Sequence, residues 1–269
     1  MVAILLPALS YHPLVATELW QFRFSHYNEK ARWALDFKGW SHRRHTLVPG
    51  LHLGTMLRRT GQMKTPVLNV DGEMIADSTA IIAWLEEHRP EPRLYPSDPA
   101  ERRRALELEE WFDEEAGPRI RRLVYHHLMG APPCCERFST AGAPPRTKAL
   151  FRVLGPVLRP VMRWNMKIDA ERVAEADGML DTIFGEVERQ VGPSGFMVGD
   201  RFTVADLTAA SILANVVRPD DYPYTWTPSP PSFSAVAARY EDHPAAHWVR
   251  RVYLRHRSPS AELLQGGVS

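Results

Sequence analysis

The stretch Phe24-Ser25-His26-Tyr27-Asn28-Glu29-Lys30-Ala31-Arg32 decides how this chain is read. Before it, Glu18 to Phe22 is short, aromatic and apolar, and predicts a first strand. After it, Lys30 to Lys38 carries Ala31, Ala34, Leu35 and Lys38 at helical spacing, and Gly39 stops the helix. A strand that passes through a serine into a helix sets a hydroxyl beside a helix N-terminus, where the dipole favours an anion. Ser25 equally suits the ordinary work of capping that helix. Working outward, His42 to Val48 predicts a second strand and Leu51 to Arg59 a short helix ended by Gly61. Val67 to Val70 and Glu73 to Ala76 flank Asp71-Gly72, a hairpin turn signal. Ser78 then caps a helix whose apolar face is Ile81, Ile82 and Leu85. The order is β-α-β-α-β-β-α. Helices between the early strands predict parallel crossovers, and the hairpin adds an antiparallel edge.

Arg89 to Pro99 holds four prolines and forms neither helix nor central strand, so it reads as a linker. Beyond it the pattern is helical. Glu101 to about Met129 predicts one long helix of roughly 40 Å. Ala170 to Val191 predicts a second, Thr203-Val204-Ala205-Asp206 opens a third through a capping box, and Ala245 to Arg257 is a last, basic helix. Pro219 to Pro231 reads as a loop. The expected division is residues 17–89, a linker at 90–99, and an all-α region at 100–258 with an insertion at about 131–168.

With 269 residues, 44% hydrophobic, 24% charged and a formal net charge of +1, the chain has the composition of a soluble protein of two domains and shows no preference for a polyanionic partner. The two cysteines, Cys134 and Cys135, are adjacent and cannot staple a fold, which points to a reducing, cytoplasmic setting. Met1 to Leu9 is apolar but short, lacks a leading cation and contains Pro7; it reads as a loose arm and not as a signal peptide.

Two further motifs follow the first in order: Thr65-Pro66-Val67-Leu68 at the start of a strand, and Asp77-Ser78 at the start of a helix. Together the three resemble the thioredoxin-like half of a glutathione transferase, most closely over Trp20 to Glu87. The likeness continues through Leu94-Tyr95-Pro96 and Val198-Gly199-Asp200 to Thr203–Asp206. It implies a thioredoxin-like α/β domain followed by an all-α domain, assembled as a homodimer that binds glutathione as co-substrate.

In the serine-type and cysteine-type members of that family the active residue occupies the place of Ser25. One hydrogen bond to a charged group is worth about 1.5–3 kcal/mol. At about 1.36 kcal/mol per unit, it lowers a thiol from near 8.5 by roughly one to two units, enough to favour thiolate near neutral pH. The resemblance makes Pro66 cis, so that the Thr65 backbone pairs with the cysteinyl part of glutathione like an added strand. It lets Lys64 meet the glycyl carboxylate. Exposed N–H groups at the Ser78 helix start suit the γ-glutamyl carboxylate, and Asp77 suits its amino group. Where thioredoxin-like redox proteins carry the second cysteine of Cys-x-x-Cys, this chain has Asn28, and no thiol stands at Ser25, which argues against a disulfide oxidoreductase. Tyr27, Trp111, Arg121, Arg122 and Tyr125 are candidate contacts of a hydrophobic electrophile, although packing also explains Tyr27. The reading is transfer of glutathione to that electrophile. The alternatives are a glutathione-dependent isomerase, lyase or peroxidase, or a non-catalytic scaffold of the same fold.

His126-His127 and Cys134-Cys135 are adjacent pairs without partners at ligand spacing, so no metal is expected, and the cysteines read as exposed loop residues. Arg102-Arg103-Arg104 reads as a solvated helix face with no aromatic–basic pattern for nucleic acid. Leu150 to Ile168 is apolar and basic. It suits a packed lid over the cleft or a helix lying on a membrane surface; Pro156 and Pro160 break a continuous helix and favour the lid.

Overall fold

The computed structural model describes residues 16–257 and 259–263; the arm at Met1–Leu9 lies outside the described residues. The first half holds β1 (Thr17–Gln21), α1 (His26–Phe37), β2 (Arg43–Thr46), α2 (Leu53–Thr60), β3 (Val67–Val70), β4 (Glu73–Ala76) and α3 (Ser78–His88). The four strands form one sheet in the order β2-β1-β3-β4. β1 and β2 are parallel, whereas β3 is antiparallel to both β1 and β4. Only the first crossover therefore gives a parallel pair. α1, with twelve residues, carries the chain back along the sheet; α2, with eight, spans about 12 Å and leaves the chain to re-enter at the end it left. The hairpin lies where its sequence places it, with Asp71 at φ 49° and Gly72 at φ 97°, the two positive values its tight turn requires.

The second half is helical: α4 (Pro99–Trp111), a π turn (Phe112–Ala116), α5 (Gly117–Met129), α6 (Pro132–Ser139), α7 (Pro145–Asn165), α8 (Ala170–Gln190), α9 (Val204–Val217), α10 (Pro231–Ala238) and α11 (Pro244–His256). The single long helix expected over 101–129 is thus interrupted. Pro118 has no N–H to offer the Glu114 carbonyl, and the Gly117 N–H instead reaches Phe112 five residues back. α9 is buried on every side and forms the centre, packed on α1, α4 and α11. Its start is fixed by Asp206, which accepts from the backbone N–H groups of Met197 and Thr203, both at 2.9 Å.

The 131–168 segment departs from its sequence reading in two ways. Cys134 and Cys135 lie within helix α6 and not in an exposed loop, with Cys135 fully buried, because Pro132 and Pro133 start a helix readily in its first turn. α7 is continuous over 21 residues through Pro156 and Pro160. Both prolines are exposed, so water reaches the carbonyls of Arg152 and Pro156 that lose their N–H partners. The inner face of α7 packs Phe151 and Leu158 on Val48, Leu51 and Ala143, which ties the segment to the loop after β2.

Candidate functional site

The strand register brings the three motifs to one end of the sheet. Trp20 at the end of β1 pairs with Val67 at the start of β3, and Val67 pairs with Ala76 at the end of β4. Ser25 follows the first of these strands, Thr65-Pro66 precedes the second, and Asp77-Ser78 follows the third. Ser25 is the N-cap residue of α1, whose start at His26 is four residues ahead of the one read from apolar spacing. Its hydroxyl makes no cap bond and no other hydrogen bond among the described residues. The Thr65–Pro66 peptide bond is cis. Asn28, buried in the first turn of α1, donates from Nδ2 to Thr65 Oγ1 at 3.3 Å, so the position a second cysteine would take ties the helix to the cis-proline loop. Lys64 is exposed.

Asp77 has φ 84° and is itself the cap of α3, accepting from the Thr79 N–H at 2.9 Å through Oδ1. This corrects the capping role read for Ser78, which is the first helical residue and is buried. From Thr79 a charged network runs inward. Thr79 Oγ1 accepts from Lys30 Nζ at 2.8 Å, and Lys30 is paired with Glu109 at 2.7 Å and with Asp113. Burial alone would lower the Lys30 pKa, but the two carboxylates reverse this and hold it charged.

The loop that carries Ser25 is clamped by a residue given no role above. Arg32 is fully buried and donates to the carbonyls of Phe22 at 3.1 Å and Arg23 at 2.8 Å, to Gln21, and to Tyr222 Oη at 3.0 Å. Tyr222 in turn donates to the Arg23 carbonyl at 2.9 Å. The stretch read only as a loop at 219–231 thus fixes the backbone two residues before Ser25. Glu29, Arg32 and Asp36 stand at i, i+3 and i+7 on α1, and that charged row was the signal available. Glu29 binds Arg32 and Arg257 at 2.8 and 2.7 Å, and Asp36 binds Arg44 and Arg257 at 2.7 and 2.9 Å.

The remaining candidates separate by direction. Tyr27 donates its hydroxyl to the Asp113 carbonyl at 2.7 Å, and burial raises its pKa. A Cβ added at Gly117 would stand 2.9 Å from Tyr27 Cζ, so the glycine lets α5 approach α1 this closely. Arg121 acts electrostatically on His26, Tyr27 and Tyr125. His26 is buried beside Tyr27 and is pulled down to about 3, first by burial and then by Arg121. Burial lowers the Arg122 pKa, its Nε has no hydrogen-bond partner among the described residues, and Trp111 packs on Phe112. Tyr125 meets Phe138 of α6 edge-on. Phe138 and Trp226 stack on Phe24 at 4.9 and 5.3 Å, so the residue next to Ser25 is held in an aromatic cluster built from α6 and the 219–230 loop. Among the described residues no group of three His, Cys, Asp or Glu side chains is placed to hold a metal ion. His127 bonds Ser232 through Nδ1 at 2.9 Å.

A mixed four-stranded sheet with its cis-proline loop, followed by a helical bundle, defines a thioredoxin-like domain joined to an all-α domain. The N-terminal domain of glutathione S-transferases matches residues 19–93, and the C-terminal domain of the same family matches residues 170–239. The chain belongs to the glutathione S-transferase family. It is similar to the maleylacetoacetate isomerase of Rhizobium meliloti (strain 1021), 30% identical over 164 residues, which are 61% of this chain and 63% of that protein. A shorter stretch of 47 residues, 18% of this chain, is 49% identical to the probable maleylacetoacetate isomerase 1 of Drosophila melanogaster and spans 19% of it. The chain thus spans less than two thirds of the length of either relative. A glutathione S-transferase from Rhodospirillum rubrum F11 shares the fold at a TM-score of 0.63 and 24% identity, over 90% of this chain and 89% of that one. α6 and α7 lie outside both matched domains.

Proposed function

We propose that the chain is a glutathione-using enzyme whose thiolate is stabilised by Ser25. The observation that carries this reading is the convergence of three motifs at one end of the sheet, with a Ser25 hydroxyl left uncommitted at a helix N-terminus. In this reading the Thr65 backbone holds the cysteinyl segment beside the cis Pro66, and Lys64 meets the glycyl carboxylate. Ser78 and the first N–H groups of α3 hold the γ-glutamyl carboxylate, and Asp77 its amino group. Arg121, Arg122, Tyr125 and the aromatic cluster at Phe138 meet the second substrate, a hydrophobic electrophile; Tyr27 and Trp111 are engaged with structural partners. A cytoplasmic homodimer is part of the proposal.

The thiolate adds to an electrophilic carbon, and the fate of the adduct sets the reaction. Release of the adduct is conjugation. Rotation within the adduct followed by departure of the thiolate is isomerisation, the reading favoured by the relatives named maleylacetoacetate isomerase. Ser25→Ala tests both. Its bound thiol should titrate one to two units higher, by thiolate absorbance, with turnover falling about ten- to a hundredfold at neutral pH. Unchanged absorbance and turnover would remove Ser25 from the mechanism. Glutathione binding by calorimetry without turnover on electrophiles, unsaturated acids or peroxides would favour a scaffold.

A further inference from the structure

α7 turns six large apolar side chains to solvent: Leu150, Val153, Leu154, Val157, Val161 and Trp164. Val153 is 74% exposed, Val157 67% and Trp164 82%, so these are not side chains left partly open by loose packing. Their spacing of three and four residues makes one stripe, and from residue 150 to 164 it runs about 21 Å. The helix already has its buried face, made by Phe151, Gly155 and Met162, so the stripe is a second apolar face with no partner among the described residues. At 100° per residue, the exposed Ala149, Pro156 and Pro160 extend the apolar arc, and Arg152, Arg159 and Arg163 line its edge.

The charge around the stripe is of one sign. Residues 145–168 contain Arg146, Lys148, Arg152, Arg159, Arg163 and Lys167, and no Asp or Glu. Arg152 is paired with Glu136; the other five have no ion pair among the described residues. Two copies of this face would bring like charges together, which disfavours self-association. A convex aliphatic ridge bordered by long cationic side chains and ending in an exposed tryptophan suits the boundary between acyl chains and anionic headgroups. No helix among the described residues is long and apolar enough to cross a membrane, so the contact is peripheral. The objection read from the sequence, that the prolines break the helix, does not hold, because α7 is continuous.

We infer that α7 is a membrane-surface helix that docks the protein on bilayers rich in anionic phospholipid, stripe inward and arginines at the headgroups. The test is co-sedimentation of the full chain with vesicles of phosphatidylcholine alone or of phosphatidylcholine and phosphatidylserine in equal amounts. Expected is pelleting with the mixed vesicles and not with the neutral ones, weakened by added salt. The double variant Val157→Asp, Trp164→Asp alters two exposed positions and should keep the wild-type melting curve while losing at least about tenfold in vesicle affinity. Failure to pellet with mixed vesicles, or equal pelleting of the double variant, overturns the proposal. A lipid-free dimer in sedimentation velocity that the double variant dissolves would give the stripe to a second copy, and also overturns it.

Discussion

Helices α1 and α7 invert the usual rule of polarity. α1 buries Glu29, Lys30, Arg32 and Asp36, while α7 exposes Leu150, Val153, Val157 and Trp164. Each buried charge of α1 has an opposite charge within ion-pair distance. An unpaired charge there would be prohibitive, so the pairs fix the helix, and with it Ser25, in one orientation. The apolar side chains of α7 have no such partner inside the chain. Polarity alone therefore says little about burial. What separates the two helices is whether the matching groups lie within the molecule or outside it.

Breaking α1 should have the largest effect. Arg32→Met breaks one of the two buried ion pairs of Glu29, leaving Arg257, and takes the side-chain donor from the Phe22 carbonyl and one of two from the Arg23 carbonyl. It should cost about 3–5 kcal/mol in a urea titration, with loss of glutathione binding beyond the loss of folded protein. A pH titration probes the same region. His26 and His42 are lowered to about 3 and about 4, in both cases chiefly by burial. The unfolded chain binds protons at these sites below its ordinary value near 6.5 and the folded chain does not, so stability falls as pH drops from 6.5 toward 4 and is fully present above it. His26→Gln should flatten that dependence; an unaltered slope between pH 7 and 4.5 would place its origin elsewhere. A smaller loss, about 1–3 kcal/mol by thermal melting, is expected for Gly117→Ala, because the added methyl pushes against Tyr27 across the α1–α5 contact. Smallest of all, Val157→Asp alone should leave stability within about 0.5 kcal/mol of wild type, since its side chain already faces water. A loss above 1–2 kcal/mol would erase the contrast between the helices.

The elements legible in the sequence were those whose cause is local. β3, β4 and their turn stand where Asp71-Gly72 puts them, and the Thr203–Asp206 start of α9 is set by its own side chains. Apolar spacing registers α1 only from Lys30, because its first turn is polar yet buried, whereas Ser25 read as its cap marks the true start. The second crossover was misjudged because strand direction depends on where α2 leaves the chain. The π turn had a signal in Gly117-Pro118, but its consequence, an Asp113 shared by Tyr27 and Lys30, is a meeting of residues more than 80 positions apart.

By itself the sequence determined the order of elements through α3, the three motifs and the absence of a dithiol, because each is written in neighbouring residues. The tertiary structure alone decided that Arg32 and Tyr222 hold the Ser25 loop, and that Phe138 and Trp226 stack on Phe24. It also decided that α7 runs unbroken with its apolar stripe outward. The physical reason is common to all three. Burial and partnership belong to pairs of surfaces, and a single segment carries only its own half of each.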